Sequence, residues 1–454
     1  MNITPRKETY ILFIGDILML VLALWLVLFT RYAVIPDISL YLGHFLPFSI
    51  LFALWFFVFF ISGLYEKHTL FLKSQIPSLI FYAQILNSIF AVCFFYFIPY
   101  FSITPKTNLF LMLLYSFVLL AVWRLYGISL LSFSKKGHVL IVGSGEEINE
   151  LKEEVGNNPR YNLKSVTFLD TDKISDANFQ NEVFSRIHNN KDLSVIMVDL
   201  QNTKIQPLLP HFYKLLFSQI CFVDIYDEYE EIFNRVPSSL INYTWLLKNI
   251  SPTSKITYDI LKRLMDIFIA LCVGVLSLVI IFFAILAIKI SDRGPIFFLQ
   301  ERIGKNNKKI EIIKFRSMAV SKEGVKNRWY CRQTLQITTY IGKILRKIHI
   351  DELPQLWNVL KGDISLIGPR PETPKLAQAY EQAISYYSIR HIIKPGLSGW
   401  AQVNQIIPPK FSVEYDKTKT KLSYDLYYVK NRSVLLDIKI GLQTIKTLFS
   451  RSGV

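Results

Sequence analysis

The chain is 454 residues long, enough for about three domains of ordinary size. At 51% hydrophobic, 14% aromatic and 19% charged it is too apolar to be wholly soluble, yet 51 Lys and Arg against 35 Asp and Glu leave a formal charge of +16. That balance excludes disordered, collagen-like and disulfide-rich secreted classes. The cysteines (Cys93, Cys221, Cys272 and Cys331) lie far apart, in no zinc or disulfide spacing.

Four apolar stretches fill the first quarter, Tyr10–Phe29, Phe45–Leu64, Ser78–Tyr100 and Leu109–Trp123. Each approaches the ~20 helical residues that cross about 30 Å of hydrocarbon. Arg6, Lys7, Lys67, Lys73, Arg124, Lys135 and Lys136 flank them on one side, whereas the other side carries little beyond Arg31 and Lys106. The positive-inside rule therefore puts the N-terminus and everything after the fourth helix in the cytoplasm. Asp16, polar within the first span, is expected to face neighbouring helices.

After Ser134 the pattern becomes α/β. Strands are expected at His138–Val142, Val166–Leu169, Val195–Val198 and Ile220–Val223, alternating with helical segments, so the sheet should be parallel. Gly143-x-Gly145 after the first strand begins a dinucleotide fingerprint, but Ile148 stands where its third glycine belongs. A structural or regulatory Rossmann-like domain is expected over 135–250, following a membrane bundle over 1–134. Ser251–Ser254 is a linker to a third domain over 255–454.

A fifth apolar run, Ile267–Ile288, has Lys262 and Arg263 before it and Lys289 and Arg293 after it. Between Lys289 and Ile350 there are 15 Lys and Arg against 4 Asp and Glu. A full crossing would place this basic segment outside, against the charge rule. A re-entrant helix over about 264–290, returning to the cytoplasmic face, resolves the conflict and lays the basic segment against anionic lipid headgroups of the inner membrane. No nucleic-acid-binding pattern accompanies the charge, so nucleic acid is not expected as a partner.

The densest chemistry follows. Lys314-Phe-Arg-Ser-Met318 precedes Arg346, the adjacent acids Asp351-Glu352, and Gly368-Pro-Arg-Pro371. Adjacent carboxylates divide labour: one attacks or binds metal while the other orients metal or moves a proton. Beside a pyrophosphate they need Mg²⁺ and cations to offset repulsion. Arg316, Arg346 and Arg370 offer planar contacts to phosphate, and Lys314 adds a point charge. Asp351 and Glu352 are thus the catalytic and metal candidates; Lys314, Arg316, Arg346 and Arg370 are the phosphate-binding ones. The last motifs are Lys394-Pro-Gly-Leu-Ser-Gly-Trp-Ala-Gln-Val403 and Lys421-Leu-Ser-Tyr-Asp-Leu-Tyr-Tyr-Val-Lys430.

Over Thr257–Phe449 this order resembles the bacterial sugar transferases, the polyprenyl-phosphate glycosyl-1-phosphate transferases. The large form of that family joins four membrane helices and a Rossmann-like domain to an α/β catalytic domain with a re-entrant helix. The resemblance implies that Asp351 is the nucleophile, with Glu352 in metal and proton handling and Arg346 five residues before the pair. A covalent phosphosugar-aspartate would pass sugar-1-phosphate from a UDP-sugar, of the UDP-glucose or UDP-galactose type, to undecaprenyl phosphate, releasing UMP. This would start exopolysaccharide, capsule or O-antigen assembly. The family's helix commonly breaks at Ser-Pro. Here that place holds Ser277-Leu278, so Gly274 and Ser277 are expected to supply the turn.

A membrane-anchored sugar-nucleotide dehydratase or epimerase would need a Tyr-x-x-x-Lys pair, and Tyr258/Lys262 and Tyr415/Lys419 have that spacing. A silent assembly scaffold would not need the intact Asp351-Glu352 pair. The sequence leaves a homodimer through the membrane helices open. In the tail, Leu435, Ile438, Leu442, Ile445 and Phe449 form the apolar stripe of an amphipathic helix, for core packing or for docking on the membrane.

Overall fold

A computed structural model describes residues 6–65, 76–97, 105–127, 137–158, 163–174, 176–190, 192–200, 202–215, 217, 220–250, 255–292, 294–319, 330–331, 337–405 and 415–449. Lys67, Lys73, Lys135, Lys136, Arg293 and the Ser251–Ser254 linker lie outside the described residues, as do the side chains of Arg6, Lys7, Lys106, Cys331 and Phe449. The chain divides into two compact units, Met1–Ile232 and Phe233–Val454.

The first unit opens with α1 (Arg6–Tyr32), α2 (Ile38–Ile61), α3 (Ile76–Phe97) and α4 (Pro105–Val122), the last widening into a π-turn at Trp123–Gly127. Each includes a span long and apolar enough to cross a membrane. α2 starts ahead of the expected Phe45 because Asp37 caps it, its carboxylate accepting from the Leu40 N–H at 2.9 Å. Leu24, Val27, Phe48 and Trp55 centre the bundle core. Asp16 is buried and paired with Arg124, which also donates to the Leu64 carbonyl at 2.5 Å, while the Tyr65 hydroxyl donates to Asp16 at 2.7 Å. Arg124 is therefore not the free flanking charge expected of it; it neutralises the buried Asp16.

The α/β part follows as β1 (Gly137–Gly143), α5 (Glu146–Asn157), β2 (Leu163–Asp170), α6 (Asp176–Asn189), β3 (Leu193–Val198), α7 (Leu209–Leu215), β4 (Cys221–Asp224) and α8 (Ile225–Phe233). All four strands are parallel, in the order β2-β1-β3-β4, with Val139 opposite Val166 on one side and Val195 on the other. Gly145 takes φ +115°, freeing the chain to turn into α5. The Ile148 side chain lies only 2.6 Å from where a Cβ on Gly143 would sit, filling the floor of the turn.

In the second unit, α9 (Tyr243–Asn249) precedes α10 (Ile256–Asp292), a single helix of 37 residues. The expected turn at Gly274 and Ser277 is absent. Nothing removes a backbone hydrogen bond there, and the Ser277 hydroxyl is satisfied by the Gly274 carbonyl at 2.9 Å within the helix. Next come the hairpin β5 (Phe297–Ile303) and β6 (Lys309–Phe315), β7 (Tyr330–Cys331), α11 (Tyr340–Lys347), α12 (Gln355–Lys361), β8 (Ser365–Ile367), α13 (Pro374–Ala383), β9 (Gly396–Ser398), α14 (Trp400–Asn404), α15 (Tyr415–Asn431) and α16 (Val434–Phe449).

Two cores run along α10. Near its middle, Ala270 packs with Ile312, Leu356, Val359 and Ile364; near its end, Ala284 and Ile288 pack with Ile296, Phe315 and Leu345. Residues 233–250, which the sequence grouped with the preceding domain, also belong to this unit. Trp400 donates its indole N–H to the Asn234 carbonyl at 2.8 Å, and the Val236 N–H reaches the Ser423 carbonyl at 3.2 Å. At the start of α16 the expected stripe faces outward, with Leu435 75% and Ile438 45% exposed, whereas Leu442 and Ile445 are half-buried. The buried face instead carries Ile440 and Asp437, because Asp437 accepts from Tyr258 at 2.9 Å, Tyr428 at 2.7 Å and Lys262 at 2.9 Å. Tyr258 and Lys262 thus tie α10 to α16, as structural contacts rather than a Tyr-x-x-x-Lys pair.

Candidate active site

Asp351 and Glu352 lie in a 3₁₀ turn, Ile350–Glu352, between α11 and α12. His349 takes φ +56°, ending α11 abruptly and turning the chain so that the next residues point inward. Asn358 of α12 holds β6 with both ends of its amide, accepting from the Ile313 N–H at 3.0 Å and donating to the Glu311 carbonyl at 2.8 Å. The strand carrying Lys314 is thereby fixed against the helix that follows the acids. Lys314 Nζ and Arg370 Nη2 both donate to Glu352 Oε1, each at 2.8 Å.

Arg346 arrives by a different route. α11 is capped by Thr339, whose hydroxyl accepts from the Gly342 N–H at 3.0 Å. A Cβ on Gly342 would sit 2.0 Å from the Ser317 carbonyl oxygen, so the helix approaches β6's extension as only glycine allows. One turn later on the same face, Arg346 Nε donates to Ser317 Oγ at 2.7 Å.

The two acids are electrostatically opposite. Burial alone would raise the Glu352 carboxyl, but Arg370 and Lys314 more than offset it and hold its pKa at about 2. Asp351 is raised, first by burial and then by the Glu352 charge, with Lys314, Arg346 and His349 opposing. Asp351 is only 8% exposed. Among the described residues no donor is hydrogen-bonded to its carboxylate. One acid is locked as an anion by two cations; the other is close to cations, desolvated and free to react.

Of the candidates from sequence, Asp351, Glu352, Lys314, Arg346 and Arg370 converge. Arg316 does not join the Glu352 pairing; it is buried against Gly294, with Nε donating to the Pro295 carbonyl at 2.5 Å, and holds the loop before β5. A residue not singled out, Arg302, stands beside the cluster: Glu372, Arg370 and Glu352 all act on its charge. Its only sequence signal is its place in Gln300-Glu-Arg-Ile-Gly304. The inward turn of Arg302, Lys314, Arg316 and Arg346 also takes four cations away from the basic surface expected against the membrane.

A model of the bacterial sugar transferase family matches residues 257–451. The chain is 42% identical over 197 residues to UDP-N-acetylgalactosamine-undecaprenyl-phosphate N-acetylgalactosaminephosphotransferase of Aeromonas hydrophila, covering 43% of this chain and 45% of that protein. It is 39% identical over 186 residues to UDP-glucose:undecaprenyl-phosphate glucose-1-phosphate transferase of Escherichia coli K12, covering 41% and 39%. The match thus spans less than half the length of these two relatives. Against an uncharacterized sugar transferase of Bacillus subtilis it is 37% identical over 195 residues, 43% of this chain and 90% of that protein. With that much of a relative matched, and the acids and cations of the motifs gathered in one site, the chain belongs to the bacterial sugar transferase family.

Proposed function

We propose that this protein transfers a sugar-1-phosphate from a UDP-sugar to undecaprenyl phosphate, releasing UMP. The observation that carries the reading is the pairing of a buried, unbonded Asp351 carboxylate with a Glu352 held ionised by Lys314 and Arg370. An Asp351 oxygen attacks the phosphorus that bears the sugar, and the bond from that phosphorus to the bridging oxygen breaks, freeing UMP. An oxygen of undecaprenyl phosphate then attacks the same phosphorus. The bond to Asp351 breaks, the carboxylate returns, and undecaprenyl diphosphate sugar leaves. Lys314, Arg346 and Arg370 outnumber the two acids and suit a pyrophosphate.

The donor set fits Mg²⁺. Asp351 and the second oxygen of Glu352 would hold it, and among the described residues no group of three His, Cys, Asp or Glu forms a cage. Phosphate oxygens and water would complete the shell, and the ion would neutralise charge on the leaving phosphate. The names of the Aeromonas and Escherichia relatives put N-acetylgalactosamine and glucose donors beside the galactose type.

We read α10 as embedded from one face rather than crossing: the expected turn is absent, but the unbroken helix packs on the same domain at Ala270, near its middle, and at Ile288, near its end. Phe268, Leu276, Phe282 and Ile290 are exposed along it and suit lipid. The parallel sheet is read as a Rossmann-like structural domain, since Ile148 fills the turn that a pyrophosphate would use. The soluble parts lie in the cytoplasm, at the inner membrane.

Purified full-length protein, UDP-glucose, UDP-galactose and UDP-N-acetylgalactosamine, Mg²⁺ and undecaprenyl phosphate test the reading. UMP is expected with one donor, lost on chelation and restored by Mg²⁺. UDP instead of UMP would mean transfer of the sugar alone and would overturn the assignment.

A further inference from the structure

Arg370 sits between two prolines, Pro369 and Pro371. Pro369 has a fixed φ, and the residue before Pro371 is confined to extended backbone, but neither proline has an N–H with which to pair in a sheet. The segment is held through its carbonyls instead, four in succession. Pro369 accepts from the Gly396 N–H at 3.0 Å, and Glu372 accepts from the Ile303 N–H at 2.9 Å. The two carbonyls between them are held by arginine side chains: Arg390 Nη2 donates to Arg370 at 3.0 Å, and Arg302 Nη1 donates to Pro371 at 3.1 Å.

Both arginines are themselves fixed. Gln300 Oε1 receives Arg302 Nε at 3.2 Å and Nη2 at 2.7 Å, leaving Nη1 for the carbonyl. Arg390 is 1% exposed, pairs with Asp425 at 2.7 Å and donates to the Tyr387 hydroxyl at 2.7 Å. Glu372 anchors the same assembly through Lys421 and Arg390. A buried arginine whose donors meet backbone carbonyls is committed to the protein and does not offer its fork to a phosphate.

We infer that Arg302 and Arg390 are positioning residues for the transfer: they clamp the Arg370–Pro371 backbone so that the Arg370 side chain meets Glu352. The inference rests on the proposed reaction for its kinetic consequence, but the clamp itself is a structural claim. Without it, Arg370 keeps its charge yet loses its fixed origin, and Glu352 loses one of its two partners. A displacement of about 1 Å at such a site costs on the order of 10²-fold in rate.

The test is a cycle of variants of full-length protein. Arg302→Leu removes both donor and charge, while Arg302→Lys keeps a donor and the charge. Arg302→Leu is expected to lower kcat/KM for UMP release ~10²-fold, and Arg302→Lys to recover most of that loss. Adding Arg302→Leu to Arg370→Lys should cost little beyond Arg370→Lys alone, because one acts through the other. Multiplying losses would overturn the inference.

A second readout needs no turnover and so separates this inference from the reaction. In thermal unfolding, Arg302→Leu and Glu352→Gln should couple by about 2–4 °C in Tm, and the coupling should fall by at least half in an Arg370→Lys background. Additive shifts, or coupling that survives unchanged without Arg370, would overturn the clamp even if the wild type releases UMP. A wild type without UMP release would sink the reaction and leave this cycle to decide the clamp.

Discussion

At Asp351, burial does two things: it raises the carboxyl pKa and it strips the carboxylate of competing donors. Arg346 works against the first effect. The proposed attack needs ionised Asp351, so activity is expected to fall as pH drops through that pKa. Arg346→Ala removes a cation that favours the anion, which raises the pKa further and moves the acid limb of kcat/KM to higher pH. An acid limb that stays in place would separate Arg346 from Asp351. Glu352 and Glu372 titrate in the other direction. Both are held at about 2 against an ordinary 4.5, so their contribution to stability is present above pH 4.5 and lost as pH falls toward 2. Most of these residues were legible because the chemistry asks for adjacent acids and nearby cations in recognisable runs. The roles of Arg316 and Arg302 leave no mark in sequence: what each arginine meets is a backbone carbonyl, and any residue type supplies one.

α11 depends on the absence of one side chain. Gly342→Ala would put a Cβ 2.0 Å from the Ser317 oxygen, a backbone atom that cannot rotate away. The helix must shift, at ~1–3 kcal/mol of overpacking, and Arg346 moves with it. A lower Tm together with a ~10²-fold loss in kcat/KM is expected; unchanged values of both would show that the close approach is not needed. Periodicity located α16 and left open whether its apolar stripe packs in the core or docks on the membrane. Three donors bury Asp437, while Leu435 and Ile438 stay exposed and available to lipid. The turn expected in α10 was assigned to Gly274 and Ser277 in place of the missing proline, but both are compatible with continued helix, and the helix runs on unbroken.

Over the whole chain, hydropathy revealed the four N-terminal helices and strand alternation the parallel sheet, since both patterns are local. The unit boundary at Ile232/Phe233 was not legible, because residues 233–250 are assigned by partners such as Trp400 and Ser423, far along the chain. The membrane bundle is locked by Asp16 and Arg124, distant in sequence and buried together. Asp16→Ala leaves Arg124 buried and uncompensated, a loss of ~3–5 kcal/mol, whereas the double change Asp16→Leu/Arg124→Met should cost much less. Thermal unfolding of the two variants in detergent checks this; equal losses would contradict it. For α10, cysteines replacing Lys255 and Ser291 should both react with an impermeant thiol reagent applied from the cytoplasmic side. Labelling of one from each side would mean a full crossing.

The central claim is that Asp351 carries the phosphosugar, and mass spectrometry tests it most directly. Full-length protein mixed with its UDP-sugar and Mg²⁺, but without undecaprenyl phosphate, is quenched and digested. The account predicts a peptide containing Asp351 heavier by one sugar phosphate, absent in Asp351→Asn and discharged when undecaprenyl phosphate is added before the quench. An adduct on another residue, or UMP release by Asp351→Asn at the wild-type rate, would contradict it.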